Sequence, residues 1–105
     1  MWEILVPTVR NSGKPYTTRH HQTWDRQVRH IAGGLTVLKP AKGQWINPSD
    51  GALFIERMIP VRIVCTSKQM DDVIARTFKH YPDQIAVLAY KISDEVRLVQ
   101  REQKG

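Results

Sequence analysis

The chain has one cysteine, Cys65, and therefore no intramolecular disulfide; a lone thiol suits a reducing compartment. No apolar run approaches the ~20 residues that a bilayer span requires, so no membrane partner is expected. The opening MWEILVPTV carries an acid at Glu3 and no basic region, unlike a secretory signal. A cytoplasmic location is the expectation. The chemistry motifs are missing too. There is no G-x-S-x-G elbow, and GKPYT at 13–17 lacks the G-x-x-x-x-G-K spacing of a phosphate loop. Neither a solenoid repeat nor a low-complexity segment occurs.

Acids are scarce in one region. Between residues 10 and 42 there are seven bases (Arg10, Lys14, Arg19, Arg26, Arg29, Lys39, Lys42) and one acid, Asp25, a difference equal to the whole net charge of +6. His20, His21 and His30 fall in the same third. Such asymmetry invites an anionic partner, a small ligand or a nucleic acid. At 105 residues the sequence reads as one domain, 1–105, able to bury two packed layers.

Residues 2–9 (WEILVPTV) have the β-rich composition of a strand. NSGKP at 11–15 is turn chemistry, and Thr17 or Thr18 is placed to cap a helix. Trp24, Val28 and Ile31 then recur at i, i+4 and i+7, and Gly33-Gly34 ends the helix. LTVL at 35–38 is a short strand. KPAKGQWINPSDG at 39–51 is an irregular arm with turn signals on both sides of Trp45-Ile46, and 52–66 is the strand that returns from it. Ser67 is positioned to cap a second helix with Met70, Val73, Ile74, Thr77, Phe78 and Tyr81 on its inner stripe, and Pro82 stops it. IAVLAYKI at 85–92 and VRLVQ at 96–100 are further strands, and REQKG is a polar tail.

The order is strand, helix, strand, strand, helix, strand. It predicts an α+β, ferredoxin-like βαββαβ fold: an antiparallel four-stranded sheet, two helices on one face, and an extended hairpin arm. In 53–65 the odd residues Leu53, Ile55, Arg57, Ile59, Val61, Ile63 and Cys65 are expected to face the helices. Pro60 is expected to mark a bulge that turns Arg57 outward. The even set is mixed, which predicts a sheet face covered by other copies of the chain, with Glu56 and Arg62 paired inside that interface. The alternative is a monomer whose C-terminal strand and arm close over this face.

Four groups of residues are candidates for function. On the first helix Arg19, Arg26 and Arg29 share an outward arc, with Lys14 nearby, and arginine forks suit phosphates or carboxylates. Tyr16 is the only local aromatic expected to be exposed, fewer than a single-strand reader uses. Trp45 is either a lid over the domain's own core or the wall of a cleft. Glu56 is a carboxylate within a strand and a weak candidate for general acid–base chemistry, as is His21. His21 and Asp25 stand at i, i+4, but His30 lies across the helix, so no three-ligand metal site forms there and no metal or cofactor is expected. Cys65 reads as a small buried hydrophobe.

EILVP, the NSGKPY loop, the Trp24-x3-Val28 spacing, GGLT at 33–36, GQW at 43–45 and DGALFIE at 50–56 together resemble a family of small bacterial and archaeal single-domain proteins, ferredoxin-like and PII-like in fold. The resemblance spans residues 2–66. It implies the fold and carries no activity. Three functions stay open: a cytoplasmic binding or regulatory module, homo-oligomeric through its open sheet face, that recognises an anionic ligand or partner through the first-helix face, with Trp45 and Glu56 flanking a cleft; a small cofactor-independent enzyme with a pocket beneath the 39–51 arm; and a nucleic-acid-binding protein of a mobile element or phage.

Overall fold

The computed structural model describes residues 1–102. Gln103, Lys104 and Gly105 of the expected tail lie outside the described residues. The elements run β1 (Trp2–Pro7), α1 (Thr18–Ala32), β2 (Thr36–Val37), β3 (Ala41–Ile46), β4 (Leu53–Ile63), α2 (Ser67–His80) and β5 (Ala89–Lys91). The sheet is antiparallel, in the order β2-β4-β1-β5, with β3 also on β4. β2 and β3 follow one another along the same edge of β4, so they act as one interrupted strand. This is the ferredoxin-like βαββαβ arrangement, with two helices on one face of an open sheet.

Each helix is bounded by residues whose chemistry requires it. Thr17 stays extended and its hydroxyl accepts from the His20 amide at 3.1 Å. Gly33 closes α1 at φ 91°, a left-handed conformation that costs glycine little. α2 is capped by Thr66 rather than Ser67, through a reciprocal capping box with Gln69. Gln69 has a second role, because its amide donates to the Ile31 carbonyl at 3.2 Å and ties the start of α2 to the end of α1.

Trp24 and Val28 from α1, Met70, Val73 and Tyr81 from α2 and its end, and Ile4, Val6, Val61 and Ile63 from the sheet form the core. Each such aliphatic side chain contributes about 1.5–3 kcal/mol by leaving water. Two of the polar groups inside are paired with each other: the Trp24 indole donates to Thr77 Oγ1 at 3.0 Å, and that hydroxyl donates to the Val73 carbonyl at 2.7 Å. Phe78, expected on the inner stripe, is exposed. Tyr16, expected to be exposed, is buried (5 % accessible) against Tyr81 and His20.

Pro60 does not bulge β4. The β1–β4 register runs without a break from Trp2↔Ile63 to Pro7↔Met58, with Leu5 opposite Pro60. The extra residue sits across the strand. Val37 faces Val61 and Ala41 faces Met58, so four steps on that edge match three on β4. Lys39-Pro40 absorb the surplus, where a proline costs no ladder bond.

Arg57 is nevertheless exposed, because β4 outruns the helices. β1 pairing ends at Pro7, and Thr8 Oγ1 caps the exit by donating to the Arg57 carbonyl at 2.8 Å. From Leu53 to Arg57 the strand has only β3 beside it, and the two form an arm. Leu53 and Ile55, expected beneath the helices, are therefore 59 % and 57 % exposed. The arm gives the chain extents of 59 × 30 × 23 Å and a radius of gyration of 15.5 Å, against about 13 Å for a compact chain of this size. Residues 96–100 form no strand, and the 85–92 segment pairs as a strand only at Ala89–Lys91.

Candidate functional site

The uncovered face of the sheet has a polar centre and an apolar end. In the centre, Glu3 on β1 accepts from Arg62 Nε of β4 at 3.1 Å and from the Tyr90 hydroxyl of β5. Glu3 is 8 % exposed although no helix covers it. The Tyr90 hydroxyl, and to a smaller extent Arg62, hold its carboxyl below the usual range against the opposing effect of burial. Arg62 is thus already engaged, and the expected Glu56–Arg62 pair does not form.

The apolar end is a cleft of about 310 Å³ between the root of the arm and residues 84–88. Leu5, Met58 and Leu88 supply its walls, and Trp45, Glu56 and Gln84 its recognition groups. The register explains why it opens here. Gly43 is directly opposite Glu56, and Trp45 opposite Phe54, on the same sheet face. With no side chain at Gly43 there is open space above the backbone; a Cβ there would meet Met58 Cγ at 3.7 Å and the Glu56 carbonyl at 3.8 Å. One face of the Trp45 ring is committed to Phe54, stacked at a centroid distance of 4.7 Å and an interplanar angle of 15°. Among the described residues Glu56 makes no ion pair.

The basic residues are elsewhere. Arg19, Arg26 and Arg29 are exposed on α1, and Lys14 on the preceding loop. None of the four makes an ion pair among the described residues. α1 packs on the helix-covered face, whereas Trp45 and Glu56 lie on the open one, so the sheet separates the arginines from the cleft. Arg10, close to Lys14 in the same loop, places its guanidinium 4.6 Å from the centre of the Tyr16 ring.

His21 is not in the cleft either. Its Nδ1 is 2.7 Å from the Tyr81 hydroxyl, beside a small cavity lined also by Trp24, Asp25 and Val61 on the helical side. Burial, and then the charge of His20, hold His21 below the usual histidine range, while burial pushes Asp25 up. Burial likewise pushes the Tyr81 hydroxyl up. The two weak catalytic candidates, Glu56 and His21, are thus on opposite sides of the sheet. Cys65 is half-buried against the core, and burial raises its thiol pKa. No group of three His, Cys, Asp or Glu side chains able to hold a metal forms among the described residues.

Several residues of these sites escaped the sequence reading. His80 joins His20 and Tyr81 joins His21 across 60 positions of chain, which no local spacing reveals. Leu88 enters the cleft from the 85–92 segment, read only as strand, and Gln84 from the residue just before it. Gly43 was visible as a turn signal; its register partner, Glu56, was not.

The backbone course has known counterparts. The chain is similar to the divalent cation tolerance protein (Cut A1) from Thermus thermophilus, at a TM-score of 0.61 and 11 % identity over 90 % of this chain and 84 % of that one. It is similar to a phage SAM lyase in complex with S-methyl-5′-thioadenosine, at 0.63 and 13 %, over 84 % and 75 %. It is also similar to CutA from Xylella fastidiosa, at 0.58 and 15 %, over 90 % and 85 %. No family model and no curated protein sequence matches the chain. At these identities the likeness is one of fold: the small ferredoxin-like domain of the CutA proteins and of the phage lyase is the fold of this chain.

Proposed function

We propose that the protein is a small binding module that works as a homo-oligomer and has two separate recognition surfaces. The open-face cleft takes a small ligand with a flat apolar part and a cationic or N–H donor group. The basic face of Lys14, Arg19, Arg26 and Arg29 takes an anionic ligand or partner. The observation that carries this reading is the Glu56 carboxylate: it lines an apolar cleft and is paired with no cation among the described residues. A carboxylate so placed favours a ligand that supplies the missing donor, and the free side of Trp45 suits a planar ring.

Self-association is supported by the same face. Val64 and Leu88 are exposed on the open side of the sheet, and Tyr90 is exposed beside them. Among the described residues no helix is long and apolar enough to cross a membrane, and a cytoplasmic location fits the single free thiol.

S-methyl-5′-thioadenosine, the ligand named for the phage lyase, is the first probe because it joins a planar base with an exocyclic amine to an apolar thioether. Titrated into the protein, it should shift the Trp45 indole N–H resonance and the Gly43 amide, and Glu56→Gln should weaken binding about tenfold (~1.4 kcal/mol). Binding that leaves Trp45 and Gly43 unmoved, or no binding at all, rejects the cleft.

A second reading follows from the same carboxylate. Glu56 in a partly enclosed apolar site is placed to act as a general base, which would make the protein a small cofactor-independent enzyme. Turnover of a bound ligand that is lost in Glu56→Gln while binding persists distinguishes catalysis from recognition. Use of the basic face on nucleic acid is the third reading, tested by the salt dependence of oligonucleotide binding.

A further inference from the structure

We propose that the groove between α1 and α2 is a phosphate-binding site. It rests on the reading of the helical side as the anion-recognising surface and narrows that reading to a particular set of groups. Arg26 and His30 stand one turn apart on α1, and Arg76 faces them from α2; with Gln27 and Ile31 they line a groove of about 310 Å³. Among the described residues no carboxylate lines it. Arg76 has Asp72 one turn earlier on its own helix, yet makes no ion pair with it or with any described acid.

Two guanidinium groups from different helices line the groove beside an imidazole, and no ion pair among the described residues offsets their repulsion. An anion does so. A tetrahedral phosphate accepts from two arginine forks at once, whereas a single carboxylate has fewer oxygens for the same two forks. Gln27 lines the groove too, and its buried Oε1 has no hydrogen-bond partner among the described residues. The helix pair is held in place at both ends, by Gln69 on Ile31 and by the His20 and His80 contacts, so the groove is preformed. Arg19, Arg29 and Lys14 do not line it.

The source of the phosphate is either a small phosphorylated ligand or a nucleic-acid backbone. The test titrates the intact protein with inorganic phosphate, and separately with a short single-stranded RNA, following backbone amide resonances. Phosphate should shift the amides of residues 26–31 and of Arg76. Arg76→Gln should weaken phosphate at least about tenfold, whereas Arg19→Gln should change it less than about twofold. RNA that binds no more tightly per phosphate than the free anion assigns a small ligand. RNA that binds far more tightly, with a steep salt dependence and sensitivity to Arg76→Gln, assigns a backbone. Anion binding that survives Arg76→Gln and is lost in Arg19→Gln or Lys14→Gln overturns the groove and keeps the basic face. If neither probe binds, the groove and the basic-face reading both fall. Arg76 and Arg19 are exposed, so unchanged melting curves identify folded variants.

Discussion

His20 and His80 each present ring Nε2 to the backbone carbonyl of the other, at 2.7 and 2.6 Å, with the rings stacked at 4.0 Å. A carbonyl only accepts, so each Nε2 donates its N–H. This reciprocal pair joins the start of α1 to the end of α2. Burial is the main cause that lowers the His20 pKa from 6.5; the hydrogen bond to the His80 carbonyl opposes it, and the neighbouring charges of His80 and Arg10 add to the lowering. His21 is lowered as well.

Acid should therefore loosen this end of the molecule. The unfolded chain takes up protons on these histidines near pH 6.5 while the folded chain resists, so the unfolded state gains protons first. Stability is fully present above ~6.5 and is lost as pH falls through the lowered folded values. The melting temperature should drop between pH ~7 and pH ~5, and His20→Gln, which keeps an N–H donor but cannot titrate, should flatten that slope. An equal slope in the variant would show that His20 is not a source of the pH dependence.

Glu3 has a separate pH window. Its carboxyl is held below 4.5, first by the Tyr90 hydroxyl, so its contribution is present above pH ~4.5 and disappears as pH falls through the lower folded value. Tyr90→Phe removes the main partner and leaves Arg62. It should cost about 1.5–3 kcal/mol at neutral pH, the range of a hydrogen bond to a charged group, with little loss added by mild acid. Urea unfolding at neutral pH and near pH ~4 measures both values.

Thr77 is fully buried and serves two partners, as acceptor for Trp24 and donor to Val73. Thr77→Val keeps the volume and removes the acceptor, leaving the indole N–H buried and unpaired. The expected loss is about 1–3 kcal/mol, read as a lower urea midpoint at unchanged slope. Thr77→Ser should recover most of it. If Val is neutral, the indole has found another acceptor.

Local patterns were legible where local chemistry decides. The Trp24–Val28 spacing with Gly33 marked α1, Asn47-Pro48-Ser49-Asp50-Gly51 marked the turn of the arm, and element order gave the topology. Burial along β4 was not legible, because alternation says which residues share a face but not how far the helices extend over it. Leu53 and Ile55 were misplaced for that reason. Pro60 misled because a proline in a strand signals a bulge, while the surplus residue lay at Lys39-Pro40 on the opposing edge. Tyr16 was read from a polar loop, yet the Val9–Pro15 bridge folds that loop back and seats the ring on Tyr81. Trp45 and Glu56 line one cavity, while the arginines grouped with them are on the other side of the sheet.

Gly43 offers a way to separate the cleft from the fold. Its φ is not positive, and a Cβ there finds ordinary contacts at 3.7 and 3.8 Å, so Gly43→Ala is accommodated without backbone strain. Stability should hold or rise slightly, since glycine is a poor strand residue. Gly43→Leu projects its branches into the space between Glu56 and Met58. The sheet should persist, with a melting temperature close to that of Gly43→Ala, while the Trp45 response to S-methyl-5′-thioadenosine disappears. Because the phosphate groove is across the sheet, inorganic phosphate should shift the Arg26 and Arg76 amides in the leucine variant as it does in the parent chain. If both responses vanish together, the two surfaces are coupled through β4 rather than independent.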